Sequence, residues 1–162
     1  MKIFYIHHAM RKKNTPPSQM DGITNIGKKD TKLVAKIFSD AKKKGENIVA
    51  IYTSPFLRCK KTAKIINKLI DIPIFEEERL NEFGSIKEEK WIDCQIRTRD
   101  FLKDIIAKYN DEDVIICVTS GVNLTAFIGQ FYKIKSSNKL PYPIVPSCSP
   151  IGFEINKSDL ID

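Results

Sequence analysis

The chain has 162 residues, 42% of them apolar and 29% charged, with a net charge of +7. That is enough chain for one domain, residues 1–162, with a full hydrophobic core. No run approaches the roughly 18 apolar residues that a membrane span requires, so a spanning segment is excluded.

The N-terminus, MKIFYIHHAM, has one lysine before a short apolar run and then turns basic without a small-residue cleavage site. It reads as a first β-strand, Lys2 to His7, rather than a signal peptide. Residues 9–22 carry Pro16, Pro17 and Gly22 and read as loop. Thr24 can cap a helix whose inward face is Val34, Ile37, Phe38 and Ala41, ended by Gly45. Ile48 to Tyr52 forms a second strand. Ser54-Pro55 then opens a helix with Thr62, Ile65, Ile66, Leu69 and Ile70 inward. Residues 73–87 look irregular, with a short strand at Ile74. A third helix is expected from about Glu88 to Tyr109, burying Phe101, Leu102, Ile105, Ile106 and Tyr109. Val114 to Val118 has no alternation and suits a strand buried on both faces. Ser120-Gly121 opens a fourth helix with Leu124, Phe127, Ile128 and Phe131 inward. Residues 133–149 hold three prolines and read as loop, and Ile151 to Ile155 as a last strand.

Strands alternating with helices imply an α/β three-layer sandwich: a mostly parallel central sheet with helices on both faces. Ligands bind such sheets at the carboxyl ends of the strands. The loops at His7-His8, Ser54 and Ser120 should meet there, which places the chain's two histidines in the crevice. Adjacent residues of an extended chain point to opposite faces, so at most one imidazole is expected to face it.

Several segments are similar to the histidine phosphatase (phosphoglycerate-mutase-like) superfamily. IHHAMRKKN, residues 6–14, resembles the segment after strand one that carries the nucleophilic histidine. DGITNIG, residues 21–27, resembles the opening of the first helix. IYTSPFLRCKKTAKII, residues 51–66, matches the strand-Ser-Pro-x-x-Arg-x-x-x-Thr-Ala pattern. ERLNEFG, residues 78–84, resembles the region that supplies the acid, and VIICVTSGVNLTAFIG, residues 114–129, the last catalytic strand and helix. The resemblance implies that His8 is the nucleophile and that Glu82 is the proton donor. It implies a phosphate pocket of Arg58, Asn14, His7, Ser120 and Gly121. Arginine suits that role because its planar fork matches phosphate oxygens. A place early in a helix adds backbone N–H groups that favour an anion.

The pattern is altered at two points. His7 stands where the family has its first arginine, and Ser120 where it has its second histidine. Serine brings no positive charge, and losing one such donor can cost about 100- to 1000-fold in rate. Arg11, or a lysine from 12–13 or 136–139, is the candidate to restore that charge. The expected activity is hydrolysis of a phosphomonoester or phosphohistidine through phosphorylated His8, with weakened turnover. The alternative is an impaired module that binds a phosphorylated small molecule or phosphoprotein.

No cofactor or metal is implied. Four widely spaced cysteines, with no CxxC pair and only two histidines, argue against zinc and for reduced thiols in the cytoplasm. Only five of the 27 basic residues are arginine, and the lysines are interspersed with acids, which disfavours a nucleic-acid partner. Oligomeric state is not legible. Phe83, Trp91 and the 133–149 loop are candidates to line the rim, with core packing the expected task of Trp91.

Overall fold

The computed structural model describes residues 1–13, 18–131 and 146–156. Five strands form one sheet in the order β3-β2-β4-β1-β5. They are β1 (Lys2–His7), β2 (Asn47–Thr53), β3 (Ile74–Glu76), β4 (Asp113–Thr119) and β5 (Pro150–Glu154). The pairs β1–β4, β4–β2 and β2–β3 are parallel, and β5 closes the edge antiparallel to β1. The four helices are α1 (Asn25–Lys43), α2 (Leu57–Ile70), α3 (Trp91–Lys108) and α4 (Gly121–Phe131). The arrangement is the expected α/β layering.

Side-chain alternation divides the core into two halves. Ile6, Ile51, Ile116 and Val118 pack with Val34, Phe38, Cys59 and Ile66 of α1 and α2. Ile3, Tyr5, Ile115 and Cys117 pack with Phe101, Leu102, Leu124 and Phe127 of α3 and α4. β4 lies mid-sheet and is buried along its whole length, which is why its sequence shows no polar alternation.

Helix starts and faces differ in detail from expectation. Thr24 does cap α1, its hydroxyl accepting from the Gly27 N–H at 3.0 Å. Ile37, however, is 57% exposed, and Ala35 takes its place inward. On α2 Leu69 is likewise exposed. A stripe read at 3.6-residue spacing fixes the buried arc only to within one residue at its margins. Pro55 does not enter the helix: α2 begins at Leu57, two residues later than the Ser-Pro signal suggests. The α3 helix starts at Trp91 rather than Glu88, whose backbone takes a positive φ of 60°. Most of the 133–149 loop and the side chain of Phe131 lie outside the described residues.

Gly27 sets the distance between α1 and the loop after β1. A Cβ there would lie 2.9 Å from both the backbone N and O of Met10, and 3.2 Å from the Ala9 Cβ. Backbone cannot yield as a flexible side chain can. Gly27→Ala should therefore destabilise the fold by about 1–3 kcal/mol, read as a lowered Tm. It should also displace the loop that carries His8.

Candidate active site

β1 ends at His7, between β4 and β5, and the chain passes the carboxyl end of β4 there. The His8 N–H donates to the Thr119 carbonyl and the Cys148 N–H to the His7 carbonyl, both at 2.9 Å. The Ala9 N–H donates to the Thr62 hydroxyl at 3.0 Å, and that hydroxyl donates to the Arg58 carbonyl at 2.8 Å. Thr62 thus fastens the His8 loop to the first turns of α2. In the sequence Thr62 is a buried helix position and the threonine of the Ser-Pro-x-x-Arg-x-x-x-Thr-Ala pattern, but neither feature points to Ala9, 53 residues away.

A cleft of about 610 Å³ opens at this end, its walls including His7, His8, Arg11, Arg58, Glu82 and Phe83. Both histidines line it, against the expectation of one. Alternation does hold, since His8 faces α2 and His7 faces α4, where a Cβ on Gly121 would stand 3.6 Å from the His7 ring. The cleft straddles the end of the strand and so receives both sides. The two rings meet edge to face, with centroids 4.6 Å apart.

His8 is 6% exposed. Its Nδ1 lies 2.8 Å from the Ala9 carbonyl, and its Nε2 lies 3.0 Å from Arg58 Nε. A carbonyl only accepts and a guanidinium only donates, so Nδ1 carries the proton and Nε2 presents its lone pair. Burial pushes the imidazole pKa down to about 3; the Ala9 hydrogen bond opposes this, while the charges of His7, Arg58 and Arg11 assist it. The neutral tautomer protonated on Nδ1 is therefore favoured by the surroundings.

That shift has a consequence for stability. A histidine titrating near 6.5 when unfolded and near 3 when folded binds more protons in the unfolded chain between those values. Stability should fall as pH drops through this window, by up to about 1.4 kcal/mol per pH unit from this one group. Denaturant midpoints at pH 7, 5 and 4 should show the decline, and it should be shallower in His8→Ala.

Arg58 is the second residue of α2 and only 4% exposed. Besides Nε to His8, it donates from Nη2 to Glu82 Oε2 at 2.5 Å and from Nη1 to the Ser18 carbonyl at 3.3 Å. Its guanidinium lies 4.6 Å over the Phe56 ring. The helix start is less open to an anion than expected. The Leu57 N–H donates to Gln19, and the Cys59 and Lys60 N–H groups donate to Phe56.

Glu82 belongs to the loop before α3. Asn81 in that loop accepts from the Ser54 hydroxyl at 2.8 Å, and its carbonyl receives Asn123 Nδ2 at 3.3 Å. The far end is held by buried Glu89, which pairs with Arg97 at 2.6 Å and accepts from the Gly84 N–H. Glu82 is thereby carried to Arg58 from a separate element.

Ser120 is buried and its hydroxyl accepts from the Asn123 N–H at 3.3 Å, an α4 cap, while Gly121 backs the His7 ring. Arg11 lines the cleft and donates to buried Asp21 at 2.8 Å. Asn14 and residues 136–139 lie outside the described residues. Of the rim candidates, Phe83 and Ser147 line the cleft, and Trp91 packs against Phe83, Cys94 and Ala126.

Sheet order and layering define a phosphoglycerate-mutase-like α/β fold. Residues 22–88 match the family described as histidine phosphatase superfamily (branch 1). The match takes in Arg58 and Glu82, while His8 precedes it. No curated protein matches the sequence.

Solved structures share the fold. YhfR of Bacillus stearothermophilus has a TM-score of 0.81 at 19% identity, covering 99% of this chain and 94% of that one. The protein histidine phosphatase SixA, complexed with tungstate, gives 0.74 at 13%, covering 99% and 92%. A phosphoserine phosphatase of Entamoeba histolytica, in complex with phosphoserine, gives 0.73 at 16%, covering 99% and 93%. At such identities the likeness shows the fold alone. No described helix is long and apolar enough to cross a membrane.

Proposed function

We propose that this chain hydrolyses a phosphomonoester or a phosphohistidine through a phosphorylated His8. The observation that carries the reading is the state of that imidazole: neutral, protonated on Nδ1, with Nε2 facing a buried guanidinium. A phosphate entering the cleft would take over the Arg58 donors now shared by His8 and Glu82. Glu82, released from Arg58, takes up a proton from solvent. Nε2 then attacks phosphorus, and the ester oxygen (for a phosphohistidine, the imidazole nitrogen) departs with that proton. In the second half, water gives a proton back to Glu82 and attacks the phosphohistidine, releasing phosphate and restoring the lone pair on Nε2. His7 lies beside the ring and is the imidazole available to steady the transferring group.

A second reading is a module that binds phosphate with little turnover. The observation favouring it is Ser120, which brings no charge and whose hydroxyl caps α4. One experiment separates the two: hydrolysis of an aryl phosphate between pH 5 and 8 by the natural protein, His8→Ala and Ser120→His. Activity lost in His8→Ala, with acid-labile phosphate trapped on the natural protein, supports the enzyme. A silent natural protein that gains activity as Ser120→His supports the binding module. Rates indifferent to His8→Ala would overturn both.

A further inference from the structure

Besides Arg58, the cleft is lined by two cations, Arg11 and Lys13, that have no part in the steps proposed for His8, Arg58 and Glu82. Among its described lining residues, Arg11, Lys13 and Arg58 face a single carboxylate, Glu82, which is already paired with Arg58. Arg11 hydrogen-bonds Asp21, not His8 or Glu82. It is held from behind instead. Its Nη1 donates to Asp21 Oδ2 at 2.8 Å, and Asp21 is fully buried. The same carboxylate oxygen accepts from the Ser18 N–H at 3.1 Å, and the Ser18 carbonyl receives Arg58 Nη1. One turn, residues 18–21, therefore aims two guanidiniums into one cleft from different anchors.

The backbone that presents Arg11 is also fixed. Arg11 bridges Ile23, the Lys12 N–H donates to Gly22, and the Thr24 N–H donates to Met10, the last two at 2.9 Å. The Arg11 side chain is one-third exposed, so its outward donors remain reachable. A guanidinium ordered in advance binds an anion with less loss of side-chain freedom than a mobile one, and its fork suits a carboxylate or phosphate equally.

We propose that Arg11, with Lys13 beside it, forms a second anion-binding position in the cleft, and that the preferred substrate is a phosphomonoester bearing a further anionic group. The proposal rests on the reading of His8 as phosphoryl acceptor. In it Arg11 selects the substrate and Arg58 serves the transferred phosphate.

The test is a homologous series of phosphoalkanoic acids, each compared with its own primary amide. At least one chain length should be preferred over its amide by about tenfold or more in kcat/KM on the natural protein. Arg11→Gln should reduce that preference to below about threefold, with Arg11→Lys in between. Equal rates for acid and amide at every length would overturn the proposal on the natural protein alone, whatever the variants do. So would an equal loss on acid and amide in Arg11→Gln, which would assign Arg11 to the transferred phosphate. Calorimetry on His8→Ala separates this from the parent reading. Tighter binding of the acid than of the amide there upholds the second position without turnover. Turnover surviving in His8→Ala overturns the phosphoryl-acceptor assignment instead.

Discussion

His8→Ala is expected to lower kcat for an aryl phosphate by about 1000-fold or more, with a much smaller change in KM. The substitution removes the imidazole lone pair that faces Arg58 and leaves the guanidinium, Glu82 and the cleft walls in place. Substrate can still be gripped, but no covalent route remains. A loss of this size corresponds to about 4 kcal/mol of transition-state stabilisation. Steady-state rates check the kinetics. A shallower acid decline in stability shows that the variant is folded and that the buried imidazole is gone. A loss below about tenfold would mean that the nucleophile lies elsewhere.

The second large effect is expected at Arg58. Arg58→Lys retains a positive charge but cannot reach His8 Nε2, Glu82 and the Ser18 carbonyl together, because those contacts use three nitrogens of one planar fork. Both kcat and KM should suffer, with kcat/KM falling about 100- to 1000-fold. Arg58→Ala should do the same and also raise the His8 pKa, since the guanidinium is among the charges that depress it. The acid limb of the rate profile would then move to higher pH. Stability should change less than activity, because Glu82 is 37% exposed and water can replace the lost partner.

The layered fold was legible because its signals are local. The Thr24 cap, the apolar β4 and the glycine after α1 each act within a few residues. The same holds for the inference that strand ends gather the histidines, which follows from parallel topology. The less legible parts depend on distance through the fold. Nothing near Thr62 announces that it receives the backbone of Ala9, nor near Asp21 that it holds Arg11 and Ser18 together. The expectation that one histidine would turn away failed for a related reason. Alternation fixes the direction of a side chain, but not the width of the opening above it. Leu69 and Ile37 lie at the margins of their helical stripes, where neighbouring layers decide exposure.

Before any ligand arrives, each nitrogen of Arg58 already donates one hydrogen bond, to the imidazole, a peptide oxygen or the carboxylate. An incoming anion that takes over these donors therefore exchanges partners for them. Free inorganic phosphate, with no other handle on the walls, should gain little from that exchange and inhibit only weakly. On the proposed mechanism, phosphate leaving the cleft would return the guanidinium to these same neighbours.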